Sequence, residues 1–168
     1  DDARIYNRAL SAKEVEHLYK LGEGTKINTN TFAPNSTLED GLVGHWSFSG
    51  ADTTLTTALD SSGNHATATL QNGVSRTIGK LGQGAGLDGI NDYIDVTSLP
   101  ALTDYTYSIW LKADSYVNGI GSDGEGTYFV DRQTPSQALV SLKAVGGNFA
   151  HQYRSNGGSL GTVSGGAI

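Results

Sequence analysis

Five glutamates, Glu14, Glu16, Glu23, Glu39 and Glu125, are the first residues to examine for acid–base chemistry. A retaining glycosidase needs two carboxylates about 5 Å apart. On a strand, acids two residues apart share a face and meet that need. None of the five glutamates lies in a Glu-x-Asp-x-Glu strand pattern. Glu14 and Glu16 fall in a helical segment, and Glu125 falls in a Gly-rich loop. The four histidines, His17, His45, His65 and His151, show no paired ligand spacing and read as surface or strand residues. Composition permits a Ser–His–Asp triad, but the chain has no nucleophile elbow. With no cysteine, disulfide frameworks, Cys–zinc sites and thiol nucleophiles are all excluded. The expectation is a protein that is not an enzyme.

Two loops are richer in hard oxygen donors. A calcium ion takes clustered carboxylate, amide and backbone oxygens, usually from loops. Asp60-Ser61-Ser62-Gly63-Asn64 offers such residues with a Gly to bend the chain, and Asp88 through Asp92 offers Asp88, Asn91 and Asp92. The competing reading is that Asp and Asn cap these turns with their own side chains. For sugar binding, an exposed aromatic beside polar groups is required. Tyr116, Tyr128, Tyr153 and His151 are the candidates, whereas Trp46 and Trp110 are expected to fill the core.

The elements that would position these residues are mostly strands. Gly, at 23 of 168 residues, is about twice its usual share, and Gly, Ser and Thr together make a third of the chain. Eleven basic residues against 17 acidic give a net charge of -6, which disfavours nucleic acid as a partner, and no apolar run suits membrane insertion. The first residue is Asp1, and the chain is expected to be a processed product, an interior fragment or one unit of something longer.

Ala3–Tyr6 reads as a short strand. Ser11 and Glu14 then form a capping box, with Leu10 and Val15 as its hydrophobic staple. The spacing of Val15, Leu18 and Tyr19 predicts one apolar helix face, and Gly22 a C-terminal stop. Residues 22–40 are polar and Thr/Asn-rich and read as a linker. From Gly41 onward, strands are expected at 42–48, 66–70, 84–87, 93–96, 105–111, 128–130, 138–142 and 149–153, separated by Gly/Asn turns. Such spacing indicates an antiparallel β-sandwich.

Gly41-Leu42-Val43-Gly44-His45-Trp46-Ser47-Phe48, Asp60-Ser61-Ser62-Gly63-Asn64, Gly79-Lys80-Leu81-Gly82-Gln83, the stretch from Asp88 to Val96, and Tyr107-Ser108-Ile109-Trp110-Leu111-Lys112 together resemble the opening half of a laminin-G-like domain. Asp1 to Val15 resembles the closing strand and helix of the same family, so the family's ending precedes its beginning. Gly166-Ala167-Ile168 read into Asp1-Asp2-Ala3-Arg4-Ile5-Tyr6 makes a junction of the family type. The chain therefore resembles one period of an array, a circular permutant, or a fragment spanning two repeats.

The resemblance implies an all-β fold, an antiparallel two-sheet β-sandwich of the concanavalin A-like jelly-roll type, with one short N-terminal helix. Residues 1–21 would be the closing strand and helix, of this copy or a neighbouring one, 22–40 a linker, and 41–168 the opening part of the sandwich. It also implies a structural calcium ion held by Asp1 with oxygens from the early loops, so the candidate metal set is Asp1, Asp60, Asn64, Asp88 and Asp92. The function expected is a non-enzymatic structural and adhesive repeat unit of a bacterial surface or fibre protein, extracellular or at the cell surface. Its partners would be copies of itself, joined by strand complementation or tandem continuation, and glycans. The alternative is a monomeric, calcium-dependent carbohydrate-binding adhesin module.

Overall fold

A computed structural model describes residues 1–23, 38–112, 128–134, 137–145, 148–154 and 160–167. It is built mostly of β-strands in small antiparallel sheets, with one α-helix. The chain divides into two compact units, Asp1–Leu111 and Lys112–Ile168.

The first unit holds β1 (Ala3–Tyr6), α1 (Ala12–Gly22), β2 (Leu42–Trp46), β3 (Thr57–Ala58), β4 (Ala68–Gln71), β5 (Ser75–Ile78), β6 (Gln83–Gly86), β7 (Tyr93–Asp95) and β8 (Thr106–Ser108). β1 is the middle strand of a three-stranded sheet ordered β2-β1-β8, antiparallel to both neighbours. Directly opposed residues of an antiparallel pair share a face. The register Ala3↔Trp46, Ile5↔Gly44 and Ile5↔Tyr107 therefore collects the apolar positions on one side. Arg4, opposite both His45 and Ser108, lies on the other. A bulge between Ile5 and Tyr6 leaves Val43 with no opposed partner. A second sheet runs β3-β4-β7, and β5 pairs with β6 as a separate ribbon.

One hydrophobic core joins residues of both three-stranded sheets. Ile5, Val43, Trp46 and Phe48 pack with Ala58, Ala66, Ala68, Leu70 and Val74, and Tyr107 and Ile94 lie against them half-buried. Trp46 is the anchor. Its ring lies over Gly44, and its indole N–H donates to the Ala66 carbonyl at 2.8 Å, so the one polar atom of the side chain is satisfied inside the core. Trp110 departs from the sequence expectation. It is half-buried outside this core, with its ring against Gly22, Tyr19 at 5.8 Å and the Lys80 ammonium 5.5 Å from its centroid.

The capping box of α1 forms as its residues dictate. The Ser11 hydroxyl accepts from the Glu14 N–H, and Glu14 Oε2 accepts from the Ser11 N–H at 2.8 Å. The buried face is another matter. Val15 and Tyr19 are more than half exposed, and the inward positions are Glu14, Leu18 and Gly22. Gly22 does not stop the helix but belongs to its last turn, where the Trp110 ring leaves no room for a Cβ. Close approach of an aromatic ring, rather than a left-handed cap, accounts for glycine there. Of the linker expected at 22–40, residues 24–37 lie outside the described residues.

The second unit is a four-stranded antiparallel meander of β9 (Tyr128–Thr134), β10 (Gln137–Val145), β11 (Asn148–Arg154) and β12 (Leu160–Ala167), in the order β12-β11-β10-β9. β12 is Gly/Ser-rich and carries no alternating apolar signal, which is why the sequence pattern misses it. The backbone register runs Leu142↔His151↔Val163 and Val140↔Tyr153↔Gly161 across β10, β11 and β12. Among the described residues, no helix is long and apolar enough to cross a membrane.

Candidate functional site

The polar face of β1 and β2 carries a connected hydrogen-bonded cluster. It begins with backbone geometry. Asp2 has φ +51°, in the left-handed region that Asp tolerates better than most residues. Arg4 and His45 face each other across the β1–β2 ladder. The Asp2 carboxylate takes the Arg4 guanidinium in a two-pronged contact, Nε to Oδ2 and Nη2 to Oδ1, both at 3.1 Å. It also takes His45 Nε2 at 2.7 Å. Asp2 is buried, and burial by itself would raise its carboxyl pKa. Hydrogen bonds from His45 and Arg4 outweigh that and hold it below the usual carboxylate range.

His45 is clamped by the loop that follows β3. Its backbone N–H donates to Asp60 Oδ1 at 2.9 Å, and its carbonyl accepts from the Ser61 N–H at 2.9 Å. With both backbone groups fixed, the imidazole meets Ser61 Oγ through Nδ1 at 2.7 Å. The result is an unbroken chain, Arg4–Asp2–His45–Ser61, from a buried ion pair to an exposed hydroxyl. Because an ionised Asp2 can only accept, Nε2 carries a proton; in the neutral imidazole Nδ1 is then the acceptor facing Ser61 Oγ, whose hydroxyl also lies 3.2 Å from the His45 carbonyl.

Of the residues named for a metal, Asp60 and Asn64 come together through Ser62. Asp60 accepts from the N–H groups of His45, Ser62 and Ala66 and from the Ser62 hydroxyl, at 2.8–3.0 Å. Burial would raise its pKa, but these donors hold it below the usual carboxylate range. Asn64 Nδ2 donates to the Leu42 carbonyl at 3.2 Å. Asp88 and Asp92 come together at their own turn. Asp92 Oδ2 accepts from the Asp88 N–H, and Asp88 Oδ1 accepts from the Ile90 N–H. Asp1 sits with Leu81, whose N–H donates to its Oδ2 at 2.8 Å, while its Oδ1 is buried without a hydrogen-bond partner. That orphaned oxygen suits a cation, but a calcium ion needs six to eight oxygens. Asp92 Oδ1 is likewise buried without a hydrogen-bond partner, whereas both oxygens of Asp60 accept hydrogen bonds from His45, Ser62 and Ala66. Among the described residues, no three His, Asp or Glu side chains form a metal-holding group.

Of the residues named for sugar binding, Tyr116 lies outside the described residues. In the backbone register His151 is opposed to Leu142 and Tyr153 to Val140, and Tyr128 of β9 is opposed to Lys143 of β10.

The sequence reading did not single out Asp2, Arg4, His45 or Ser61 as a cluster. The only local signal was that Arg4 and His45 occupy the polar phase of alternating strands. Their meeting depends on a ladder between segments about 40 residues apart. No protein-family model, no curated protein and no solved structure matches the chain.

Proposed function

We propose that the chain is a non-enzymatic structural and adhesive repeat unit of an extracellular bacterial surface or fibre protein. In this reading its sheets form a two-layered jelly roll, and copies join through strand complementation or tandem continuation. One observation carries the proposal. β1, at the start of the chain, is the central strand of its sheet, inserted between β2 and β8, which lie about 40 and 100 residues later. A four-residue strand that completes a sheet from a distant part of the chain can equally be supplied by a neighbouring copy. Laminin-G-like motifs in inverted order support the same reading.

Complementation in trans tests it. A chain starting at residue 38 is mixed with a peptide of residues 1–23. The expected result is saturable binding, with Trp46 fluorescence shifting toward the buried value as Ile5 and Ala3 complete its surroundings. A truncated chain that folds to full stability alone, or that ignores the peptide, refutes the proposal.

The second reading, a calcium-dependent carbohydrate-binding adhesin, draws on the buried and unpartnered Asp1 Oδ1. An ion bound only by the folded state raises Tm, so loss of Tm on adding EDTA supports it. A glycan array that is silent with and without chelator counts against it.

A further inference from the structure

We propose that Ser61 is a base-activated hydroxyl that accepts acyl groups from activated esters and thioesters, with His45 as its general base and Asp2 as the residue that orients the base. The inference goes beyond the structural and adhesive reading and does not depend on it.

Three features of the structure suit a base-activated hydroxyl. The nucleophile and base are in contact, Ser61 Oγ to His45 Nδ1 at 2.7 Å. The base and its orienting carboxylate are in contact, His45 Nε2 to Asp2 Oδ1 at 2.7 Å. Burial and accessibility run in the right direction. The Asp2 side chain is 9% exposed, that of His45 is 20% exposed, and Ser61 is on the surface. The ring is used in the sense opposite to the familiar triad, with Nδ1 toward serine, but the roles follow from which nitrogen meets which partner. Arg4 holds Asp2 through both carboxylate oxygens. The loop is fixed as well, because Asp60 and the Ser61 N–H tie it to both backbone groups of His45.

The step balances without a co-reactant. Ser61 Oγ attacks the acyl carbonyl carbon and forms the new C–O bond, while its proton moves to His45 Nδ1. The resulting imidazolium is stabilised by the Asp2 carboxylate. The tetrahedral adduct collapses, the bond to the aryl oxide or thiolate breaks, and that leaving group takes the proton from Nδ1. The product is an acyl ester on Ser61. General-base assistance contributes about 10²- to 10⁴-fold. That is enough for donors with good leaving groups, and it sets the substrate class as activated esters and thioesters rather than amides.

The full chain is incubated with p-nitrophenyl acetate, and acetylated positions are mapped by peptide mass spectrometry. Ser61 of the native chain should acetylate at least about 100-fold faster than Ser62 and than Ser61 of the urea-unfolded chain. His45→Gln should lower the Ser61 rate by about 100-fold or more. Asp2→Asn should also lower it, because a neutral carboxamide no longer stabilises the imidazolium that forms when His45 takes the proton. The proposal is overturned if native Ser61 reacts no faster than Ser62 or the unfolded chain, or if His45→Gln reacts as fast as the parent. The native-versus-unfolded comparison uses the unsubstituted chain, so it decides even if a variant fails to fold.

Discussion

Replacing Asp60 tests how the 60–66 loop is held. Its carboxylate accepts three backbone N–H groups, from His45, Ser62 and Ala66, and one hydroxyl, from Ser62. A net hydrogen bond is worth about 1 kcal/mol, and a buried donor left unpaired costs about 1–3 kcal/mol. Asp60 is half-buried, so water rescues part of the loss. Asp60→Ala should therefore cost about 3 kcal/mol, since four acceptor contacts vanish and no other acceptor replaces them. For a domain of this size that is a Tm drop of about 10 °C. Asp60→Asn keeps one acceptor oxygen and should lose about half as much.

The pH dependence separates the two charge states. The folded-state pKa of Asp60 is depressed, so its contribution is present above the unfolded carboxylate range and is lost as pH falls through the folded value. The parent should therefore lose stability on acidification below about pH 4, while Asp60→Asn lacks this component. Thermal melts by circular dichroism from neutral to acidic pH measure both effects. An Asp60→Ala variant that melts within about 2 °C of the parent refutes the account.

Glu14 offers a second acid-sensitive contact. The Arg8 guanidinium and the Ser11 N–H hold its carboxyl at about 2. Its stabilisation should be intact above the usual carboxylate range, decline as pH falls toward 2, and be absent from Glu14→Gln. Ser11→Ala removes the N-cap acceptor and should cost about 1 kcal/mol in a denaturant titration, and a variant as stable as the parent counts against the capping box. A Cβ at Gly44 would overlap the Trp46 ring, so Gly44→Ala should cost about 1–3 kcal/mol and shift Trp46 emission to the red. Unchanged emission would show that the ring does not rest on Gly44. At Gly22 an added methyl meets the Trp110 ring, and Gly22→Ala should destabilise even though alanine favours helices. A gain in Tm there would mean that helix propensity outweighs the contact.

Local chemistry carried far into this structure. Ser11 and Glu14 specify a helix start without help, because a capping box is closed within four residues. Apolar patterns at 42–46, 93–95, 128–130 and 138–142 coincide with strands. The Gly/Ser-rich β12 is a strand only by virtue of pairing with β11.

What the sequence determined alone is an all-β texture with one capped helix, and turns at Asp60–Asn64 and Asp88–Asp92 whose side chains bond their own backbones. The tertiary structure decided which face of α1 is dry and where Trp110 goes. It also decided that Asp2, His45 and Ser61 form a chain. The reason is that caps and turns are settled by neighbours a few residues apart. A ladder register, by contrast, is fixed by core packing of Trp46, Ile5 and Phe48 between distant segments, and the polar face opposite that core takes whatever partners the register imposes.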